Sequence, residues 1–142
     1  MKTEELTVRE YDKERDELLA IQWCKAHCRA AFIPALLSPL GMVCEWQGNP
    51  VCMCWAEMVV GVGKARLEQP ISAPGLNLTE SRLAFGYLIL ALKKALAALD
   101  YGVLICETLP GIARYLQRCH GFQVADTNAK QSMICFLPRE AA

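Results

Sequence analysis

The 142-residue sequence has no excess of charge of either sign, since 15 Lys and Arg balance 15 Asp and Glu. A chain without net charge has no general attraction for the phosphates of nucleic acid or anionic lipid, so neither is expected as a partner. Trp23, Trp46 and Trp55 are spread over different elements, without the interleaved Lys or Arg of a single-strand stacking platform. Long hydrophobic runs are also lacking. The longest, residues 83–92, is about half a membrane span, so no membrane association is expected. The opening MKTEELTVREYDKERDE is too charged for a secretory signal, and a cytoplasmic location is expected. No internal repeat, linker or low-complexity segment divides the chain, and its length suits one domain over residues 1–142.

Eight cysteines are present, yet Cys-x-x-Cys spacing is absent. Cys24, His27 and Cys28 share one helical face, and Cys52 and Cys54 share a strand face. Packed core thiols are the better reading than a zinc site, and no metal is expected. No activating base lies near Cys52 or Cys54 in sequence, which argues against a nucleophile. With 54% hydrophobic and 21% charged residues, the chain is globular.

Residues 6–11 (LTVREY) alternate as a short strand. A helix over 14–32 follows, capped by Asp12, with a stripe through Leu18, Ile21 or Gln22, Cys24 or Lys25, Cys28, Ala31 and Phe32. Pro34 interrupts it, and 34–37 open a second short helix. Residues 42–46 and 51–60 form a hairpin around Gln47-Gly48-Asn49-Pro50. Its second arm, apolar on both faces except at Glu57, suits a central strand. Residues 64–72 form a strand that bends, or lies at an edge, near Pro70. Asn77 followed by Glu80, or Thr79 alone, starts a long helix over 80–99. A buried strand covers 101–108. A helix runs from Pro110 or Gly111 to Cys119 and ends at Gly121. An antiparallel pair, 122–126 and 131–137, closes the chain. A parallel crossover links the strands flanking the long helix. The class is α/β: a mixed central sheet with helices on both faces.

This order, with LTVREYDKERDELLAI at the start and LDYGVLICETLPGIARYLQRCHGF near the end, resembles the GNAT superfamily of acyl-CoA N-acyltransferases over nearly the whole chain. Gly121-Phe122 is the most specific match. The resemblance implies acetyl-CoA or another acyl-CoA as co-substrate, bound in a V-shaped opening between two parallel strands. It implies a small-molecule or peptide amine as acceptor, and direct attack aided by backbone N–H groups from 64–72. Ile71, Thr79, Ser81, Arg82 and Leu83 fall where the cofactor is expected.

Three departures accompany it. The loop before the long helix has no Gly-x-Gly, and Glu80 stands where an anion is expected to bind. Gln117 occupies the position of the family's proton-donating Tyr, and Tyr115, about 200° round the helix, is expected to face elsewhere. The family's Asn after the strand is missing from Thr108-Leu109-Pro110-Gly111.

Glu57, Glu68 and Glu107 are the candidate catalytic carboxylates. Each has a plainer reading: Glu57 paired with Arg66 across the hairpin, Glu68 on a solvated face, and Glu107 capping the next helix. His120 is expected at a helix C-terminus, where partial positive charge is favourable. The free edge near Pro70 and the apolar surplus are compatible with a homodimer. The alternative to an acyltransferase is a degenerate, non-catalytic protein of this fold with an assembly or binding role, for example one associated with a phage.

Overall fold

The computed structural model describes residues 1–30, 32–126 and 131–138. The chain folds into β1 (Leu6–Glu10), α1 (Lys13–Ala26), β2 (Gly41–Trp46), β3 (Asn49–Val59), β4 (Lys64–Ser72), α2 (Leu78–Ala98), β5 (Val103–Thr108), α3 (Pro110–Cys119), β6 (Gln123–Asp126) and β7 (Gln131–Phe136), with 3₁₀ turns at Thr3–Glu5 and Pro34–Leu36. The seven strands make one sheet in the order β1-β2-β3-β4-β5-β7-β6, antiparallel except at β4–β5. One core, between the sheet and the helices α2 and α3, contains Leu88, Ile89, Leu92 and Leu96 of α2 and Leu116 of α3, all fully buried. Each such side chain removed from water contributes about 1.5–3 kcal/mol. A smaller core on the other face holds Trp23 of α1 against Met53 and Trp55 of β3. Helices on both faces of a mixed α/β sheet are therefore the observed architecture.

The hairpin between β2 and β3 forms as its sequence dictates. Gln47 and Gly48 both have positive φ, 51° and 79°, the twist that matches flanking strands in a two-residue turn. Residues Val51 to Ala56 of β3 are buried in succession, as a strand covered on both faces requires.

Helix α1 departs from expectation in length and in its buried face. It ends at Ala26, and Cys28 follows with φ 53°, so Cys28 and Phe32 lie beyond the helix; Ala31 lies outside the described residues. The buried positions are Asp16, Ala20, Trp23 and Cys24, and Leu18 is exposed. The stripe was hidden because its first member is a carboxylate. Asp16 is fully buried, and Arg9 of β1 holds both its oxygens at 2.7 and 2.8 Å while the Asp12 N–H donates at 2.9 Å. Burial alone would raise its pKa. The Arg9 hydrogen bonds, the Asp12 amide and the Arg9 charge outweigh it and hold the carboxyl below its usual value.

Candidate functional site

The cleft begins with a local failure of sheet pairing. β4 and β5 pair only at Lys64↔Val103, Ala65↔Leu104 and Arg66↔Ile105. Beyond Arg66, β5 continues beside β7, and β4 continues beside β3. The β3–β4 register shifts between Met53↔Ile71 and Trp55↔Glu68, Gln69 adopts φ 49°, and Pro70 has no N–H to offer a neighbour. β4 is thus a central strand with one half unpaired on its β5 side. The free edge near Pro70 is the wall of an internal opening.

That opening is a cleft of about 480 Å³ whose walls include Leu67, Ile71, Phe85, Cys106, Ile112 and Tyr115. Of the residues expected at the cofactor, Ile71, Ser81 and Arg82 line it. Thr79 is exposed outside it, and Leu83 packs against the core beside it. The Ala73 N–H donates to Val51 O at 2.8 Å, which turns the main chain of residues 71 and 73 toward β3. The alternation of a strand then points the Ser72 N–H and the Pro70 and Ser72 carbonyls toward the opening. Arg29 Nη1 donates to Pro70 O at 2.8 Å, and His27 Nε2 lies 2.8 Å from Ser72 O. The Ser72 N–H is the amide left to polarise a carbonyl there.

Tyr115 corrects the sequence-based expectation, because it faces the cleft. Gly111, Ile112 and Tyr115 form the cleft-facing stripe of α3, beside its buried Ala113 and Leu116, whereas Gln117 is exposed and off the cleft. The Tyr115 hydroxyl donates to Arg82 O at 2.8 Å and lies 3.0 Å from His120 Nε2. Gly86 makes room for it: a Cβ there would lie 2.6 Å from the hydroxyl. Burial raises the Tyr115 pKa. His120 is buried, and burial followed by the Lys93 charge lowers its pKa, so it is neutral at the helix end where positive charge was expected. Lys93 takes that role, donating to His120 O at 3.0 Å.

The three candidate carboxylates do not converge. Glu107 lines the cleft. Glu57 and Glu68 share a second hollow of about 520 Å³ with Phe32, Ile33, Leu36, Leu37 and Gln69. Glu57 is opposite Arg66 in register, but among the described residues no ion pair joins them. Its carboxyl lies beside Glu68 instead. Burial first, then the neighbouring Glu57 carboxylate, raise the Glu68 pKa against a smaller opposing effect of Arg66. The β3–β4 register makes this neighbourhood, and counting residues back from each strand end would have found it.

Cys24 lies in the α1-side core, Cys52 and Cys54 in the α2-side core, and Cys28 is exposed. Among the described residues, no group of three His, Cys, Asp or Glu side chains could hold a metal ion. All eight cysteines are free, and burial pushes the Cys44 and Cys106 thiols up to about 11. Among the described residues no helix is long and apolar enough to cross a membrane.

A cleft between two parallel strands that part midway, flanked by the starts of two helices, is the opening that the resemblance to the GNAT fold implied. Solved structures agree. The Escherichia coli ribosomal-protein-S18-alanine N-acetyltransferase superposes with a TM-score of 0.72 at 15% identity, over 96% of both chains. Ard1 from Thermoplasma volcanium gives 0.70 at 14%, over 95% of this chain and 99% of the other. N-acetylglutamate synthase from Neisseria gonorrhoeae, solved with coenzyme A and N-acetyl-glutamate, gives 0.67 at 10%, over 94% of this chain and 35% of the other. No protein-family model and no curated protein matches the sequence. The protein has the GNAT fold, as a divergent version of it.

Proposed function

We propose that the protein transfers an acyl group from a thioester of coenzyme A or a related pantetheine to an amine, acting in the cytoplasm. The observation that carries this reading is the parting of β4 and β5 beyond Arg66, which leaves an apolar cleft on a GNAT scaffold. In it, Ile71 and Phe85 exclude water from the acyl arm. The Ser72 N–H donates to the carbonyl oxygen where negative charge develops. In the second hollow, Glu68 takes the proton of the attacking amine. Its raised pKa makes it a stronger base than a solvated carboxylate, and Glu57 attracts the cationic acceptor. The acceptor is a small-molecule or peptide amine, with Phe32, Ile33 and Leu37 offering an apolar wall. Tyr115 is the hydroxyl on the donor side, with Arg82 and Glu107 on the same walls.

Thermal denaturation with acetyl-CoA and longer acyl thioesters tests the reading. A ligand at 100 times its Kd adds about 2.7 kcal/mol, roughly 5–10 °C in a domain of this size. No shift with any acyl thioester at millimolar concentration would sink it. That outcome would favour the second reading, a non-catalytic protein of this fold with an assembly or binding role. The Asn77–Glu80 capping box, which closes the start of α2, is what supports that alternative.

A further inference from the structure

Resting on the reading above, we propose that the cleft recognises its donor by the pantetheine arm and acyl group alone. The nucleotide end of coenzyme A then adds little to binding. A helix start attracts phosphate through unpaired N–H groups and the positive end of the helix dipole. In α2 part of this capacity is already used. Asn77 Oδ1 accepts from the Glu80 N–H at 2.9 Å, and Glu80 Oε2 accepts from the Asn77 N–H at 3.1 Å. The Ser81 N–H donates to Asn77 O at 3.0 Å. Glu80 thus places its own carboxylate at the helix end, beside the remaining amides of Leu78 and Thr79. An arriving diphosphate meets a like charge there, with the Asn77 and Glu80 amides already engaged.

The mouth of the cleft points the same way. Leu78, Leu109 and Ile112 line it, and they are 66%, 60% and 43% exposed. Such a rim suits the dimethyl and methylene groups of pantetheine better than phosphate. Among the lining residues Arg82 is the one cation, and Glu107 is an opposing anion. The Arg82 guanidinium lies 6.0 Å from the centre of the Tyr115 ring, where the aromatic face attracts it. A single exposed cation accounts for less than about tenfold in affinity.

Isothermal titration at physiological salt compares acetyl-CoA, S-acetyl-4′-phosphopantetheine and S-acetyl-pantetheine. The second represents the arm carried by acyl carrier proteins. Dissociation constants within tenfold of one another are expected. A preference for acetyl-CoA beyond tenfold would overturn this inference and leave the acyl-transfer reading intact. Binding of none of the three would overturn both. Glu80→Gln keeps the side chain's length and removes its charge. It is expected to tighten acetyl-CoA severalfold while leaving S-acetyl-pantetheine unchanged, and an equal effect on both ligands would count against the proposal.

Discussion

Single residues decide two separate matters in this protein, anchoring and proton handling. Asp16 is fully buried and Arg9 pairs with it in two hydrogen bonds, while Arg9 Nε also holds Glu45 at 2.6 Å. Asp16→Ala leaves Arg9 with Glu45 alone and the Asp12 N–H without its acceptor, and is expected to cost roughly 1–3 kcal/mol in urea unfolding at pH 7. Because the folded pKa of Asp16 is depressed, its contribution is present above the unfolded value of about 4 and is lost as pH falls through the folded value. The gap between wild type and variant therefore closes in acid, and a gap that persists unchanged would refute the assignment. Glu68 has the opposite sign. Its raised pKa means that folding is favoured below about pH 4.3 and weakened as pH rises through the folded value. Glu68→Gln should raise the neutral-pH Tm slightly and lower kcat by about 100-fold, with donor affinity unchanged. A variant that also lost donor binding would argue for a structural role.

Among the elements, α2 and β4 shape the cleft from opposite sides. α2 approaches α3 closely because Gly86 has no side chain, and the Tyr115 hydroxyl fills that space. Gly86→Ala forces Tyr115 to move and should cost about 1–3 kcal/mol, read from denaturant midpoints. It should also weaken donor binding, because the displaced ring lines the cleft. In β4, Gln69 holds φ 49° within the register shift. A β-branched residue is poorly tolerated there, and Gln69→Val should cost about 1–2 kcal/mol in the same measurement. The element order, the Asn77–Glu80 cap and the Gln47-Gly48 turn were legible in the sequence, since each is written in a few adjacent residues. The buried face of α1 was not. A paired carboxylate at a core position looks polar until Arg9 is known to lie against it.

On the scale of the molecule, the cleft exists because a continuous sheet stops being continuous. β3 pairs on both sides and has six consecutive buried residues, so the amides of Val51 to Ala56 should be among the slowest to exchange with solvent. Those of Pro70's neighbours on the open side of β4 should exchange faster, and equal protection along β4 would contradict the parting of the strands. What the sequence by itself determined is the scaffold: periodicity, caps and turns are local, and they specify an α/β sheet with helices on both faces. Only the tertiary structure decided which residues meet. Tyr115 faces the cleft where Gly86 of α2 leaves room for its hydroxyl, and Glu57 adjoins Glu68 in the β3–β4 register that runs from the turn at 60–63. The first joins residues far apart in sequence, so local pattern carries no trace of it, whereas the second follows once the hairpin is counted from its turn. The closed start of α2 lies between the two cases: its cap is readable from Asn77 and Glu80, and the resemblance already set Glu80 where an anion is expected, but only the structure puts that helix start on the wall of the cleft.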